Sequence, residues 1–361
     1  MPATLKPSQI TSVHQKRPHA LLLTGLGMLM ILLWLADIAL GSVAIPFTEV
    51  LNKLSGQSLD NTAFENIIMK IRLPKAITAV LAGAALSVGG LQMQTLFRNP
   101  LAGPSVLGVT SGASLGVAVV TLSSGQATTL YAIQELGISG SWLVAIASSL
   151  GAALVLFIIL GISFRVSDYV VLLIAGIMIG NITLSLVSLW QYFSNPEQIQ
   201  NYLLWTFGSL HGVTQKHLGL MSAVVILGLL LTFALSKPLN ALLLGEHYAQ
   251  SLGVSIRQLR IGVIIATSLL AGVVTAFCGP IGFIGIAVPH LSRGLFHTAH
   301  HGVLIPACAL LGAITLLACD LISQVPGSAI TLPLNAITAL IGSPVVIYVI
   351  LKNRKQQTAF S

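Results

Sequence analysis

Apolar stretches of roughly twenty residues, the length that carries a helix across a bilayer, follow one another along almost the whole chain. The first, Ala20 to Leu40, holds a single ionisable residue, Asp37. Further candidates run over 70–93, 104–123, 141–164, 169–193, 217–236, 260–279, 288–302, 303–322 and 335–351. Charged residues make up 7% of the 361 and hydrophobic ones 55%. An ordinary soluble domain carries about 25% charge, so this chain could not cover its apolar side chains in water. The pattern predicts an all-α polytopic membrane protein of about ten transmembrane helices.

The net charge of +8 does not point to nucleic acid, because most Lys and Arg stand singly between apolar runs with no basic, aromatic-rich cluster. They read as orientation signals. With ten spans, eleven basic residues (Lys6, Lys16, Arg17, Arg98, Arg165, Lys237, Arg257, Arg260, Lys352, Arg354, Lys355) fall on one side and five (Lys53, Lys70, Arg72, Lys75, Lys216) on the other. That asymmetry predicts both termini in the cytoplasm, with tails over 1–19 and 353–361 around one transmembrane domain over 20–352. Cys278, Cys308 and Cys319 lie in apolar runs without ligand spacing and read as packing residues. Ala20–Leu40 exceeds a signal peptide's apolar core and reads as a retained first helix.

A faint repeat runs through the chain. Thr78-x-x-Leu81-Ala82-Gly83-x6-Gly90 recurs as Thr267-x-x-Leu270-Ala271-Gly272-x6-Gly279, and Pro100 matches Pro289 at the same offset. Helices 2 and 7 would run in opposite directions, giving an inverted repeat of helices 2–5 and 7–10, a common transporter plan. Gly112-x-x-x-Gly116 and Gly176-x-x-x-Gly180 predict close helix packing.

No Gly-Lys dipeptide occurs, so no Walker A loop exists, and His-Glu-x-x-His is absent too. The chain reads as no enzyme, with no cofactor of its own. His297, His300 and His301 could share a helix face as a metal pair, or simply cap a membrane edge. Asp37 and Asp320 could couple protons, although near-surface helix ends fit them better. The polar run 237–259 is more informative. Gly245 and Gly253 would break it into two short helices, a knob shaped to dock a cytoplasmic partner.

Several blocks carry a resemblance: Arg72-Leu73-Pro74-Lys75, Gly83-Ala84-Ala85-Leu86, Gly90, Gln94, Arg98-Asn99-Pro100-Leu101-Ala102-x-Pro104-x-x-Leu107-Gly108, Leu244-Gly245-Glu246-x-x-Ala249-x-x-Leu252-Gly253, Gly279-Pro280-Ile281-Gly282-Phe283-Ile284-Gly285, Pro289-His290-x-x-Arg293 and Gly342-Ser343-Pro344. Together they resemble the FecCD family, permease subunits of ABC importers for iron-siderophores, haem and vitamin B12.

The resemblance implies a vitamin B12-importer-permease-like fold in the bacterial inner membrane. It implies a second copy of the chain lining a shared pathway, two ATPase subunits that bind the ATP, and a periplasmic binding protein. Leu244, Gly245, Glu246, Ala249, Leu252 and Gly253 would couple to the ATPase. Arg72 and Lys75 would receive acidic residues of the binding protein. Asn99, Leu101, Asp168 and Tyr169 would form a cytoplasmic gate, while Pro289, His290 and Arg293 match the family without an evident role. Asp320 is followed by Leu321-Ile322-Ser323-Gln324 where relatives often carry Arg, and Thr331-Leu332-Pro333-Leu334-Asn335 replaces the usual Glu-Leu-Pro-x-Gly. The alternative reading is a secondary transporter driven by an ion gradient.

Overall fold

A computed structural model describes residues 16–122, 140–166, 168–324 and 331–358. Fifteen α-helices are assigned there: α1 (Lys16–Ala39), α2 (Phe47–Leu54), α3 (Thr62–Asn66), α4 (Leu73–Leu96), α5 (Val109–Leu122), α6 (Gly140–Arg165), α7 (Tyr169–Tyr192), α8 (Pro196–Thr206), α9 (Gln215–Ala234), α10 (Ser236–Leu243), α11 (Glu246–Ser251), α12 (Ile256–Cys278), α13 (Ile284–Phe296), α14 (His301–Ser323) and α15 (Leu334–Thr358). Asn61 starts α3 by accepting from the amides of Ala63 and Phe64. One wide turn, Ile67–Arg72, joins α3 to α4, so helix continues unbroken from Thr62 to Leu96.

Seven of these stretches are long and apolar enough to cross a membrane: α1, α3 through α4, α6, α7, α9, α12 and α14. Three predicted spans are shorter. α5 has 14 residues and α13 only 13, while the apolar part of α15 covers Leu334–Tyr348. The predicted eighth span, 288–302, is displaced. His297 turns left-handed at φ +49 and stops α13, and α14 begins at His301. Backbone outside the α-helices, over 97–108 and 279–283, precedes α5 and α13. Such backbone is tolerated at membrane depth only inside protein, and Ala102, Pro104 and Leu107 are accordingly buried.

The packing carries the inverted repeat. α4 lies on α14 as α12 lies on α6, and α4 touches α13 as α12 touches α5. α5 packs on α6 and α7 as α13 packs on α14 and α15. α4 runs toward the α10–α11 knob and α12 away from it, so the two halves are antiparallel. Gly83 and Gly312 abut backbone to backbone where α4 crosses α14, and a Cβ on either would strike the other's carbonyl. The matched Gly272 faces Ala152 across α12 and α6. Two sequence matches do not hold in space: Gly90 lies inside α4 whereas Gly279 ends α12, and Pro100 sits in a loop whereas Pro289 is within α13. The predicted small-residue contacts are present. Gly112 and Gly151 meet across α5 and α6, and Gly176 sits on the Val106 carbonyl.

Candidate functional site

At the knob end, α10 and α11 pack against the body through Leu239, Leu242 and Ala249, all buried. Outward they present Leu243, Leu244, Tyr248 and Leu252, with Leu244 67% and Leu252 59% exposed. Gly245 (φ +114) separates the two helices, and Gly253 (φ +83) ends the second. Both take up backbone conformations that side-chain-bearing residues resist. Glu246 is the first residue of α11, where a carboxylate favours the helix dipole. The predicted two-helix knob is therefore present, confined to Ser236–Ser251, with α12 beginning at Ile256. An exposed apolar face on a short polar element is the surface expected of a protein interface.

Of the four residues expected at a gate, Asn99 and Leu101 follow α4, whereas Asp168 and Tyr169 open α7. Phe97 ends α4 and packs edge-on against Tyr169 at 6.3 Å between ring centroids. Asp168 caps α7 by accepting from the Val170 amide at 2.7 Å. Asn99 Oδ1 accepts from the Leu101 amide at 2.9 Å, and the Asn99 amide donates to the Gln94 carbonyl at 3.2 Å. Leu101 is left exposed. Arg260, one turn into α12, donates to the Val166 carbonyl at 2.7 Å and lies over the Tyr169 ring at 4.5 Å. In the sequence Arg260 counted only as an orientation charge.

The Pro289-His290-x-x-Arg293 block holds the end of α4 and the loop after it. His290 Nε2 donates to the Pro100 carbonyl at 2.8 Å. Arg293 donates to Gln94 Oε1, and Gln94 Nε2 donates to the Ile286 carbonyl at 3.1 Å. α13 is thus tied to the end of α4 and to the loop that follows.

The histidine pair does not form a metal site. His297 ends α13 and His301 opens α14. Both ring nitrogens of His301 are engaged, Nδ1 by Asn240 and Nε2 by Thr95. Among the described residues no cluster of His, Cys, Asp or Glu could hold a metal ion. Gly112-Ala113-Ser114-Leu115-Gly116 spells the Gly-x-Ser-x-Gly of a hydrolase elbow, yet it lies inside α5. Ser114 donates one turn back to Thr110, and the glycines serve helix packing.

The far end corrects the sequence reading most. Arg72 and Lys75 are not exposed charges; they are 5% and 1% exposed. Arg72 donates to the carbonyls of Ile38, Ala39 and Val43, closing the end of α1. Lys75 Nζ lies 2.6 Å from Asp320 Oδ2 and 3.3 Å from Asp37 Oδ1. Gln324 donates to both carboxylates, at 2.9 Å to Asp37 and 2.8 Å to Asp320. The two aspartates are buried partners of one lysine, not surface helix ends. Gln324 here binds the cluster where the resemblance led to an expected arginine. The other departure, Asn335, accepts from the Gly282 amide at 3.0 Å and donates its own amide to the Phe207 carbonyl, fixing the turn before α13.

The chain and its fold have close counterparts. The chain is 36% identical over 350 residues to the vitamin B12 import system permease protein BtuC of Klebsiella pneumoniae, covering 96% of this chain and 98% of that protein. It is 36% identical over 292 residues to the same permease of Escherichia coli O9:H4, covering 81% and 85%. Its structure matches that of an inward-facing metal-chelate type ABC transporter with a TM-score of 0.79 at 28% identity, over 92% of this chain and 99% of the other. The sequence pattern of the FecCD transport family spans residues 29–352, and the chain belongs to that family.

Proposed function

We propose that the chain is the membrane permease of a binding-protein-dependent ABC importer for a bulky metal chelate: an iron-siderophore, haem or vitamin B12. Two copies would enclose the pathway, with the gate around Asn99, Leu101, Asp168 and Tyr169 on the cytoplasmic side. A separate ATPase would bind the ATP and receive the knob, from Leu244 and Glu246 to Gly253. The observation that carries this reading is the knob: an exposed apolar face on a short, glycine-delimited element, in a chain without a phosphate-binding loop.

Arg72 and Lys75 are buried, which supports reception of the binding protein by exposed basic residues of the far end instead. Lys70 and Lys216 are exposed there, and Gln215 donates to the Met69 carbonyl between them. Exposed basic residues of this kind steer an acidic partner and set its register. The buried Asp37–Lys75–Asp320 cluster favours a second reading, a proton-coupled transporter, because intramembrane carboxylates often carry protons.

Reconstitution separates the two. Liposomes containing the chain, its ATPase and its binding protein are expected to take up one of ferric hydroxamate, haemin or cyanocobalamin only with ATP inside. Uptake by the chain alone under a proton or sodium gradient would overturn the importer reading.

A further inference from the structure

The knob and the gate are joined by side-chain hydrogen bonds that neither the family blocks nor the sequence pattern assigns. Asn240 lies on α10, three residues past Lys237, on the face that packs against α4 and α14. Its Oδ1 accepts twice from His301, from the backbone amide at 2.8 Å and from Nδ1 at 2.9 Å. The backbone amide is always a donor, so the Asn240 atom facing it must be oxygen. That assignment puts the ring proton on Nδ1. Nε2 is then an acceptor facing the Thr95 hydroxyl at 3.0 Å, whose single proton goes either to it or to the Leu91 carbonyl at 2.9 Å, one at a time. His301 is 1% exposed, so water does not compete for these bonds.

Thr95 adjoins Gln94, the residue that holds the gate loop. The Gln94 carbonyl receives the Asn99 amide, and its side chain is gripped by Arg293 and Ile286. His290, from the same helix as Arg293, holds Pro100. A rigid ring held by hydrogen bonds on both sides between α10 and α4 resists compression and tension alike, whereas apolar contacts would let the helices slide. Coupling between sites travels through such contiguous networks when both sites bias one element.

We propose that Asn240, His301 and Thr95 form a strut that passes movement of the Ser236–Ser251 knob to the gate segment from Phe97 to Gly103. The proposal rests on the permease reading above. It makes these three positioning residues, since none is placed against substrate or nucleotide.

The test uses the assembled permease–ATPase complex in nanodiscs, with Leu101→Cys as a reporter and a membrane-impermeant maleimide as probe. The native Cys278, Cys308 and Cys319 are buried and give no background. Labelling at position 101 is compared without nucleotide and after trapping with ATP and orthovanadate. In the parent complex the two rates are expected to differ. Asn240→Leu and the isosteric Thr95→Val are expected to shrink that difference by about fivefold or more, while ATP hydrolysis continues near the parent rate. Asn240→Asp keeps the acceptor oxygen and is expected to keep the difference.

An undiminished difference in Asn240→Leu and Thr95→Val would overturn the strut. So would equal loss in Asn240→Asp, which would mark a packing site, or loss of hydrolysis together with the difference, which would mark a docking residue. A parent complex that hydrolyses ATP but labels equally in both states would also overturn it. A chain that forms no complex with any ATPase would instead defeat the permease reading itself.

Discussion

The two ends of the bundle solve opposite problems with polar side chains. At the far end, four polar residues from α1, α4, α14 and the residue that caps α14 are buried and turned on one another: Asp37, Lys75, Asp320 and Gln324. At the knob end, polar contacts form open chains that pass from α10 to α14, α4 and α13, and the apolar residues are outside. A closed ion cluster in low dielectric is costly to separate, so the far end is built to keep three helices in register. Hydrogen bonds strung between helices and loops can be carried along by a displaced element. The contrast assigns rigidity to one end and motion to the other.

The largest test of that contrast is Lys75→Met. It strands two buried carboxylates, and truncating one partner of a buried ion pair costs about 3–5 kcal/mol. Thermal unfolding in detergent should show a strongly lowered midpoint. The triple variant with Asp37→Asn and Asp320→Asn should recover most of it. Parent-like stability of Lys75→Met alone would remove the claim of a lock. Arg72→Ala is next, leaving the carbonyls at the end of α1 without their donor for about 1–3 kcal/mol. Because the guanidinium is buried, the loss should not change between low and high salt; a strong salt dependence would return Arg72 to the surface.

Gly245→Ala sharpens the other side. At φ +114 and ψ +155 the backbone is in a region reserved for glycine, and a Cβ there costs about 1–3 kcal/mol. Because the knob is peripheral, the cost should appear as local proteolysis or hydrogen exchange between 236 and 253, with the midpoint of the bundle little moved. Leu244→Glu should have the smallest effect on stability, within about 0.5 kcal/mol for an exposed site, yet should abolish co-purification with the ATPase. Retained co-purification would break the assignment of the knob as the docking element.

How much of this was legible depended on sequence distance. The spans could be read because twenty apolar residues have few other fates, and the knob because Gly245 and Gly253 punctuate a polar run. The limits of α5 and α13 could not, because residues 104–108 and 279–283, just before those helices, carry no charge to mark where helix begins. Arg72 and Lys75 looked like surface charge because their partners are far away in the chain; Lys75 is 38 residues from Asp37. Asp37 and Asp320 each looked solitary for the same reason. The brace of His290 on Pro100, 190 residues away, was visible only as a conspicuous block without a role.

The far-end cluster also sets an order of events during synthesis. Gln324 follows Asp37 by 287 residues, and at roughly 5–20 residues per second its arrival lags by about 15–60 s. For that interval α1 and α4 can share a neutral Asp37–Lys75 pair, one acid to one base. The second carboxylate and the amide that bridges it join only when α14 inserts. A nascent chain halted before residue 320 should therefore hold a two-helix intermediate already matched in charge, and completion of the ninth span converts it into a clasp that closes the first helix onto the last third of the protein.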